Sequence, residues 1–340
     1  MSKISFVIIG VGNIGLKYVN LLNKLDKAEL VAVVDIDFNK RKTLNKLIPF
    51  FISIEDFLAA KIPADIICIC TPNGLHPEHS IACLNAGYHT VCEKPIALHA
   101  VDVFKMMSAE KASGKKVFAV MQNRYSPVAI WLKRLMTQQL LGDLMFLQIN
   151  CFWNRNQQYY DDSVWRATRE LGGGPLYSQF SHFIDLMLWL CGEPENIKSD
   201  LFTLNKSIKT EFHDSGIINF DLPNGGKGVF NFTNATYQTN VESSLTIIGS
   251  KGNVKVGGQY MEKLDFVNLE DKFDIPVFDQ ITQANNYNYY QGSADKHDVF
   301  LAKVIDCIEN DLEPEIGLTD ELHVIHFIEQ ALLFAEAKSY

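Results

Sequence analysis

The chain lacks any apolar run approaching the roughly 18 residues that a bilayer-spanning helix needs, so no membrane is expected around it. Basic blocks are missing too. Lys and Arg number 31 against 40 Asp and Glu, a net charge of −9, and neither a nucleic-acid backbone nor an anionic lipid surface is expected as partner. Cysteine is scarce and scattered. Seven residues, with Cys68 and Cys70 alternating inside an apolar strand, read as reduced buried thiols of a cytoplasmic protein rather than disulfides or a zinc site. The pairs His76/His79 and His323/His326 have spacing that can hold a metal, but neither has a third ligand placed nearby, so no metal is expected. His99 and His213 carry no local signal. Repeats and low-complexity segments are absent. Met1-Ser2-Lys3 before Ile4–Ile9 has the outline of a signal peptide, yet the apolar stretch is short and leads into glycines rather than a cleavage site. What is present is a globular composition, 47% hydrophobic and 21% charged. At about 150 residues per domain, the 340 residues suggest two domains, each able to bury a core.

The first 121 residues alternate between strand and helix patterns. Ile4–Ile9 is a continuous apolar run, as a strand covered on both faces requires. Residues 13–26 carry apolar side chains at helical spacing, and Leu30–Val34 and Asp65–Cys70 read as further buried strands. His76–Ala86 reads as a helix stopped by Gly87. Tyr88–Cys92 and Lys116–Met121 follow as strands with a helix between them. Repeated β-α-β units imply a doubly wound parallel sheet. After Pro127 the pattern changes: a helix to about Leu141, a strand at Leu144–Trp153, a long helical stretch over 176–191, then β-rich sequence from about 198 to 268. Gly216–Leu222, Pro223-Asn224-Gly225-Gly226 and Gly228–Thr233 make a hairpin signal, and Ser244–Ile248 with Val254–Val256 a second. Residues 269–292 read as a long surface loop. Two helices, about 294–309 and 320–338, close the chain, the second with Thr319 as its N-cap. The fold class is α/β: a nucleotide-type domain over residues 1–122, then an α+β domain over 123–340 built on a large, open, mainly antiparallel sheet.

Gly10-Val11-Gly12-Asn13-Ile14-Gly15 is a G-x-G-x-x-G motif that follows a buried strand and opens a helix, the context in which it binds a dinucleotide. Gly10 allows the tight turn, Gly12 lets the backbone approach a pyrophosphate, and Gly15 lets helix and strand pack closely. Asp35 lies 20 residues past Gly15, at the end of the second strand. Its carboxylate suits the adenosine ribose hydroxyls and repels a 2′-phosphate, which favours NAD; Lys40 and Arg41 keep NADP open. In an open α/β sheet ligands sit beyond the carboxyl ends of the strands. Two loops fall there, Thr71-Pro72-Asn73 and Glu93-Lys94-Pro95. Burial and a cationic nicotinamide both disfavour the charge of Lys94, so beside them the lysine is expected to lose its proton readily.

Gly10–Gly15, Thr71-Pro72-Asn73, Glu93-Lys94-Pro95 and Gly172-Gly173-Gly174 with His182 together resemble the Gfo/Idh/MocA oxidoreductases over nearly the whole chain. The resemblance implies a Rossmann domain binding NAD(P), an α/β domain whose open sheet often forms an oligomer interface, and oxidation of sugar or cyclitol hydroxyls. It implies that Lys94 and His182 face the reacting hydroxyl, with Pro95 in cis. Many members carry an aspartate four residues before that histidine; Ser178 stands there in this chain.

Asn154-Arg155-Asn156, Trp165-Arg166-Ala167-Thr168, Gln179-Phe180-Ser181-His182 and Tyr290-Gln291-Gly292-Ser293 further resemble the bacterial UDP-N-acetyl-glucosaminuronate 3-dehydrogenases. That resemblance implies oxidation at sugar C3 to a 3-keto product, in making diacetylated aminouronic acids for surface polysaccharide. Such a substrate is anionic at uronate and diphosphate, and Arg155, Arg166 and Arg169 could supply the cations, with Tyr159, Tyr160 and Trp165 stacking on a ring. The cofactor set is then Gly10, Gly12, Asn13, Ile14, Gly15, Asp35, Thr71, Pro72, Asn73, His76, Glu93, Lys94, Gln122, Trp165 and Arg166. The substrate set is Lys94, Arg155, Tyr159, Ser178, Gln179, His182 and Tyr290, with Lys94 and His182 catalytic and His297 a minor candidate. Competing readings are a free-sugar or inositol dehydrogenase, an NAD-dependent glycosidase and a non-catalytic regulatory module. A homodimer or homotetramer through the second sheet is expected.

Overall fold

The computed structural model describes residues 3–276, 278, 284–286 and 290–337. The chain divides into two compact units: residues up to Val120 together with His297–Leu322, and Met121–Lys296 together with residues from His323 on.

In the first unit, strand β1 (Ile4–Ile9) leads into helix α1 (Asn13–Leu22), followed by β2 (Ala28–Val34), β3 (Phe50–Phe51), α2 (Ile54–Ala60) and β4 (Ile66–Ile69). Helix α3 (His76–Asn85), β5 (His89–Cys92), α4 (Ala100–Ser113) and β6 (Val117–Ala119) complete the alternation. The sheet runs β3-β2-β1-β4-β5-β6, and every paired strand is parallel. Phe6–Ile9 and Ile66–Ile69 are buried, the reason these strands are apolar without alternation. The strand order reverses between β1 and β4, whose carboxyl ends lie side by side: Cys70 donates its N–H to the Ile9 carbonyl at 2.8 Å. A ligand crevice belongs at that reversal. The two-residue β3 has no signal in the sequence.

The second unit begins with α5 (Pro127–Thr137), β7 (Leu144–Phe152), α6 (Gln157–Asp161), α7 (Pro175–Ser178) and α8 (Ser181–Cys191). Strands β8 (Glu195–Phe202), β9 (Ser215–Asp221), β10 (Lys227–Thr233), β11 (Glu242–Gly249), β12 (Gly252–Gly257) and β13 (Lys263–Leu269) follow. They form a seven-stranded sheet ordered β13-β12-β11-β7-β10-β9-β8, antiparallel except for the β7–β10 pair. Both expected hairpins are present, the first closing over Gly225 at φ +87°. Alternate residues of the central strands β7, β10 and β11, among them Ile149, Phe230, Phe232, Leu245 and Ile247, make the buried face. Gly228 sits opposite Phe220, whose ring occupies the place of a side chain: a Cβ at Gly228 would lie 2.0 Å from it.

Four expectations change. The stretch 176–191 is two helices, not one, because the chain breaks at Gln179–Phe180 between α7 and α8. Part of the 269–292 loop lies outside the described residues, but its end is a ribbon, β14 (Ala284–Asn286) against β15 (Gln291–Ala294), with Asn285 buried and donating to the Ser293 and Ala294 carbonyls. The closing helices are α9 (His297–Glu309) and α10 (Leu318–Ala337), so Thr319 lies inside the first turn rather than capping it, and Asp320 takes the Gly317 N–H instead. Helix α9, counted with the second domain in the sequence reading, packs within the first unit.

Candidate active site

The three motif glycines answer to different constraints. Gly10 has φ +90°, and a Cβ there would lie 2.6 Å from the Cys70 carbonyl oxygen. At Gly15 a Cβ would lie 1.9 Å from the Gly10 carbonyl oxygen. Both glycines are required by the protein's own packing. Gly12 is not: a Cβ there meets nothing within 4 Å. The space it leaves is the cradle a pyrophosphate fills. Helix α1 starts at Gly12 with no side-chain cap and no acid in its first turn, so its leading N–H groups and positive dipole suit a diphosphate. Asp35 closes the turn: Oδ2 accepts the Val11 N–H at 2.6 Å and Oδ1 the Asp37 N–H at 2.8 Å. Each carboxylate oxygen has a second acceptor site for a ribose hydroxyl. Ile36, 91% exposed, follows directly and offers an apolar surface for an adenine ring. Of the two residues that kept NADP open, Arg41 is engaged with the Ile48 and Lys46 carbonyls, each at 3.0 Å. The residues fit NAD.

The Thr71-Pro72-Asn73 loop follows β4, with Asn73 buried. His76 is not displayed to a ligand. It is 1% exposed, with Nδ1 2.7 Å from the Pro95 carbonyl and Nε2 2.8 Å from the Thr71 carbonyl. Both ring nitrogens face backbone carbonyls, and the one N–H of the neutral ring donates to either of them, so His76 sits between the two strand-end loops with neither nitrogen turned to a cofactor. Burial pushes its pKa down. The Lys94–Pro95 bond is cis. Glu93 is buried and accepts the Tyr18 hydroxyl at 3.0 Å, while His297, the first residue of α9, brings Nε2 to 3.5 Å from the same oxygen.

In the second unit His182 is the second residue of α8, 1% exposed, with Nε2 3.2 Å from Gln122 Nε2. The amide nitrogen donates, which makes Nε2 the acceptor and leaves the neutral ring's proton on Nδ1. Gln122 thus meets the proposed catalytic histidine. Two residues on, Arg124 grips Asp185 of α8 through Nε (2.9 Å) and Nη2 (2.5 Å), both side chains buried. This ion pair pins the segment carrying Gln122 to the helix carrying His182. Ser178 Oγ donates to the Gly172 carbonyl at 2.9 Å, and the break after α7 means that Ser178 and His182 do not share one helix face. Gly172 is required where it stands: a Cβ would lie within 2.9 Å of the Trp165, Arg166 and Thr168 carbonyl oxygens.

Two of the three arginines come together. Arg155 is 3% exposed; its Cζ lies 4.9 Å from the Trp153 ring centre, 5.1 Å from Tyr159 and 5.0 Å from Tyr290. Arg166 covers the Tyr159 ring at 4.6 Å and the Trp165 ring at 5.7 Å. Arg155 gives two N–H groups to the Asn154 and Gln291 carbonyls, and its buried Nε has no protein partner among the described residues. A buried guanidinium held by rings and carbonyls has the chemistry that suits an anion. The Tyr159 hydroxyl accepts from Gln179 at 2.8 Å, whose carbonyl accepts from Asn234 at 2.9 Å. Arg169 stands apart, 63% exposed and ion-paired with Glu336, while its backbone N–H donates to the Glu211 carboxylate. The sequence reading missed Ile36, Arg124, Asp185 and Asn234; an acid inside the apolar helix 181–191 was the one visible signal among them.

Known proteins match this arrangement along its length. The family model for the NAD-binding Rossmann fold of the Gfo/Idh/MocA oxidoreductases matches residues 4–121, and the Gfo/Idh/MocA C-terminal domain matches 130–255. The WlbA dehydrogenase of Chromobacterium violaceum, solved with NADH and UDP-GlcNAcA, superposes with a TM-score of 0.91 at 32% identity, over 99% of this chain and 95% of that one. The Bordetella pertussis WlbA dehydrogenase, solved with the same two molecules, gives 0.87 at 31% identity over 98% and 97%. Inositol 2-dehydrogenase of Salmonella typhimurium is 25% identical over 72% of this chain and 71% of its own length. Among the described residues no helix is long and apolar enough to cross a membrane.

Proposed function

The chain belongs to the Gfo/Idh/MocA family and is an NAD-dependent oxidoreductase, and on that premise we propose that it oxidises the C3 hydroxyl of UDP-N-acetyl-glucosaminuronate to the 3-keto sugar. The observation that carries this reading is the likeness, at 32% identity over 99% of the chain, to a dehydrogenase solved with NADH and UDP-GlcNAcA. The aromatic-walled Arg155 and Arg166 support it, since a UDP-uronate is anionic at both ends and needs desolvated cations to hold it.

The bound nicotinamide supplies the acceptor for the hydride leaving C3. The protein's part is to remove the hydroxyl proton as the carbonyl forms, because a neutral alcohol is a poor hydride donor; a positioned base is worth about 10²–10⁴-fold. Lys94 and His182 are the groups proposed for that proton, His182 taking it at Nε2 when the sugar hydroxyl displaces the Gln122 amide. Gln122 and the Arg124–Asp185 pair hold the imidazole, and His76 sits against the loop that carries Lys94. The 3-keto product belongs, on this reading, to cytoplasmic synthesis of diacetylated aminouronic acids for surface polysaccharide, and the enzyme works as a homodimer or homotetramer.

Incubation of the purified protein with NAD and UDP-N-acetyl-glucosaminuronate is expected to yield NADH and a sugar two mass units lighter, seen by mass spectrometry. The likeness to inositol 2-dehydrogenase favours a second reading, a cyclitol substrate. Calorimetry separates the two: UDP binds and inositol does not on the first reading. Oxidation of inositol without any response to UDP would replace it.

A further inference from the structure

Glu93 and Lys94 are chain neighbours, and the structure surrounds the glutamate with more machinery than a loop residue needs. Glu93 is 6% exposed at the end of β5. A carboxylate removed from water is costly unless donors replace the water. Two converge on Oε1: the Tyr18 hydroxyl from α1 at 3.0 Å and His297 Nε2 from α9 at 3.5 Å. His297 is itself 1% exposed, its ring edge-on to Tyr18 with centroids 5.9 Å apart, and its Nδ1 lies 3.1 Å from Lys17 Nζ of α1. An ammonium can only donate. With Lys17 donating, Nδ1 is the acceptor, the single proton of the neutral ring is fixed on Nε2, and that N–H is aimed at Glu93.

We propose that His297 is a positioning residue for the oxidation: oriented by Lys17, it holds the Glu93 carboxylate ionised and fixed beside Lys94, so the lysine works next to a permanent negative charge. The inference rests on the reading of Lys94 as part of the proton-transfer machinery. The titratable groups facing Glu93 agree with it. They are Tyr18, Cys68, Cys70, Cys92, His76, Lys94 and His297. Burial pushes the phenol and the three thiols up, so Tyr18 stays an O–H donor and the thiols add no charge. Burial pushes the Glu93 carboxyl up, and the N–H of His297, the charge of Lys94 and the Tyr18 hydroxyl act against it.

Two measurements on the cofactor-free protein test the geometry without any activity. Nitrogen-15 NMR of labelled histidine is expected to show His297 neutral with its proton on Nε2 near neutral pH; an imidazolium, or a proton on Nδ1, overturns the proposal. Infrared difference spectra of His297→Leu are expected to gain a protonated-carboxyl band at neutral pH that disappears in the His297→Leu/Glu93→Gln double variant. No such band overturns it. In the NAD-loaded enzyme His297→Leu is expected to lower kcat/KM about 10-fold and to move the acid limb of its pH profile about one unit lower, as the base loses the charge favouring its ammonium form. NAD affinity stays near the parent's, and His297→Gln, whose amide can donate to the same oxygen, restores most of the loss. An unchanged profile in a folded His297→Leu protein overturns the positioning role alone, whereas full turnover in Lys94→Ala overturns the reading beneath it. Should His297→Leu not fold, Lys17→Met is expected to release the ring into a mixture of tautomers, and an unchanged Nε2–H tautomer there overturns the proposal.

Discussion

Gly12 and Gly15 carry the same side chain for opposite reasons, and substitution separates them. A methyl at Gly15 drives into the Gly10 carbonyl, so Gly15→Ala is expected to cost about 1–3 kcal/mol of stability, read as a lower melting temperature. Gly12→Ala meets no protein atom and is expected to melt like the parent while NAD affinity drops at least about tenfold in a fluorescence titration, because the methyl occupies the pyrophosphate's approach. Equal effects of the two on melting would contradict this division. At Lys94 the expected loss is in turnover: Lys94→Ala falls about 10²–10⁴-fold with NAD still bound, and a near-normal rate would remove the lysine from the chemistry. These positions were legible in the sequence because each motif is local: strand, turn and helix start lie within a few residues. Their supports were not. Gln122 meets His182 across 60 residues of chain and Arg124 meets Asp185 across 61, so no spacing rule reaches them. His76 shows how a local motif misleads, since a histidine beside a ligand loop reads as a ligand residue until its nitrogens are seen on two backbone carbonyls.

Whole elements are legible in the sequence where burial is two-sided or alternation is strict. β1 and β4, covered on both faces, and the hairpins β9–β10 and β11–β12 came out near their observed ends. The missed elements have weak patterns: β3 is two residues long, and β8 and β13 run along the edges of their sheet, where exposed residues interrupt the periodicity. The apolar residues of 175–191 hid the α7–α8 break, because both short helices turn apolar faces inward. The β5–β6 edge of the first sheet carries a pH dependence that can be signed. His89 Nδ1 accepts the Lys116 backbone N–H at 3.0 Å, a bond the protonated ring cannot make. Burial first, then the charges of Lys115 and Lys116, lower its pKa to about 4. The unfolded chain, with an ordinary value near about 6.5, therefore binds the proton first. The contribution of His89 is complete above that ordinary value and is lost as pH falls through the window down to the folded one. Calorimetric melting temperatures are expected to fall less steeply across that window in His89→Asn, whose amide oxygen can take the same N–H without titrating. Parallel slopes for parent and variant would dismiss the idea.

For the molecule as a whole, the outer face of the seven-stranded sheet sets the expectation about self-association. Phe146 and Ile248 face each other across β7 and β11 and are 37% and 39% exposed, with Ile217 at 40% and Phe266 at 53% on the same side. Between them runs a hydrogen-bonded polar row in which Asn150 accepts from Gln148 at 3.2 Å and from Asn231 at 2.9 Å and donates to Ser244 at 3.3 Å. Single exposed apolar residues need no explanation, but apolar residues spread over several neighbouring strands around a satisfied polar row make a surface suited to another protein. A second copy laid on the same face about a two-fold axis would bury the apolar pairs against themselves, the self-complementarity that closed homo-oligomers use. Light scattering behind size exclusion is therefore expected to give two or four times the chain mass at micromolar concentration. Paired carboxylates across the β7–β11 pair, in Phe146→Glu/Ile248→Glu, would place like charges on each half of the buried surface, and that variant is expected to elute as a monomer with its circular dichroism unchanged. A parent protein that is monomeric at those concentrations would show that this face stays in water.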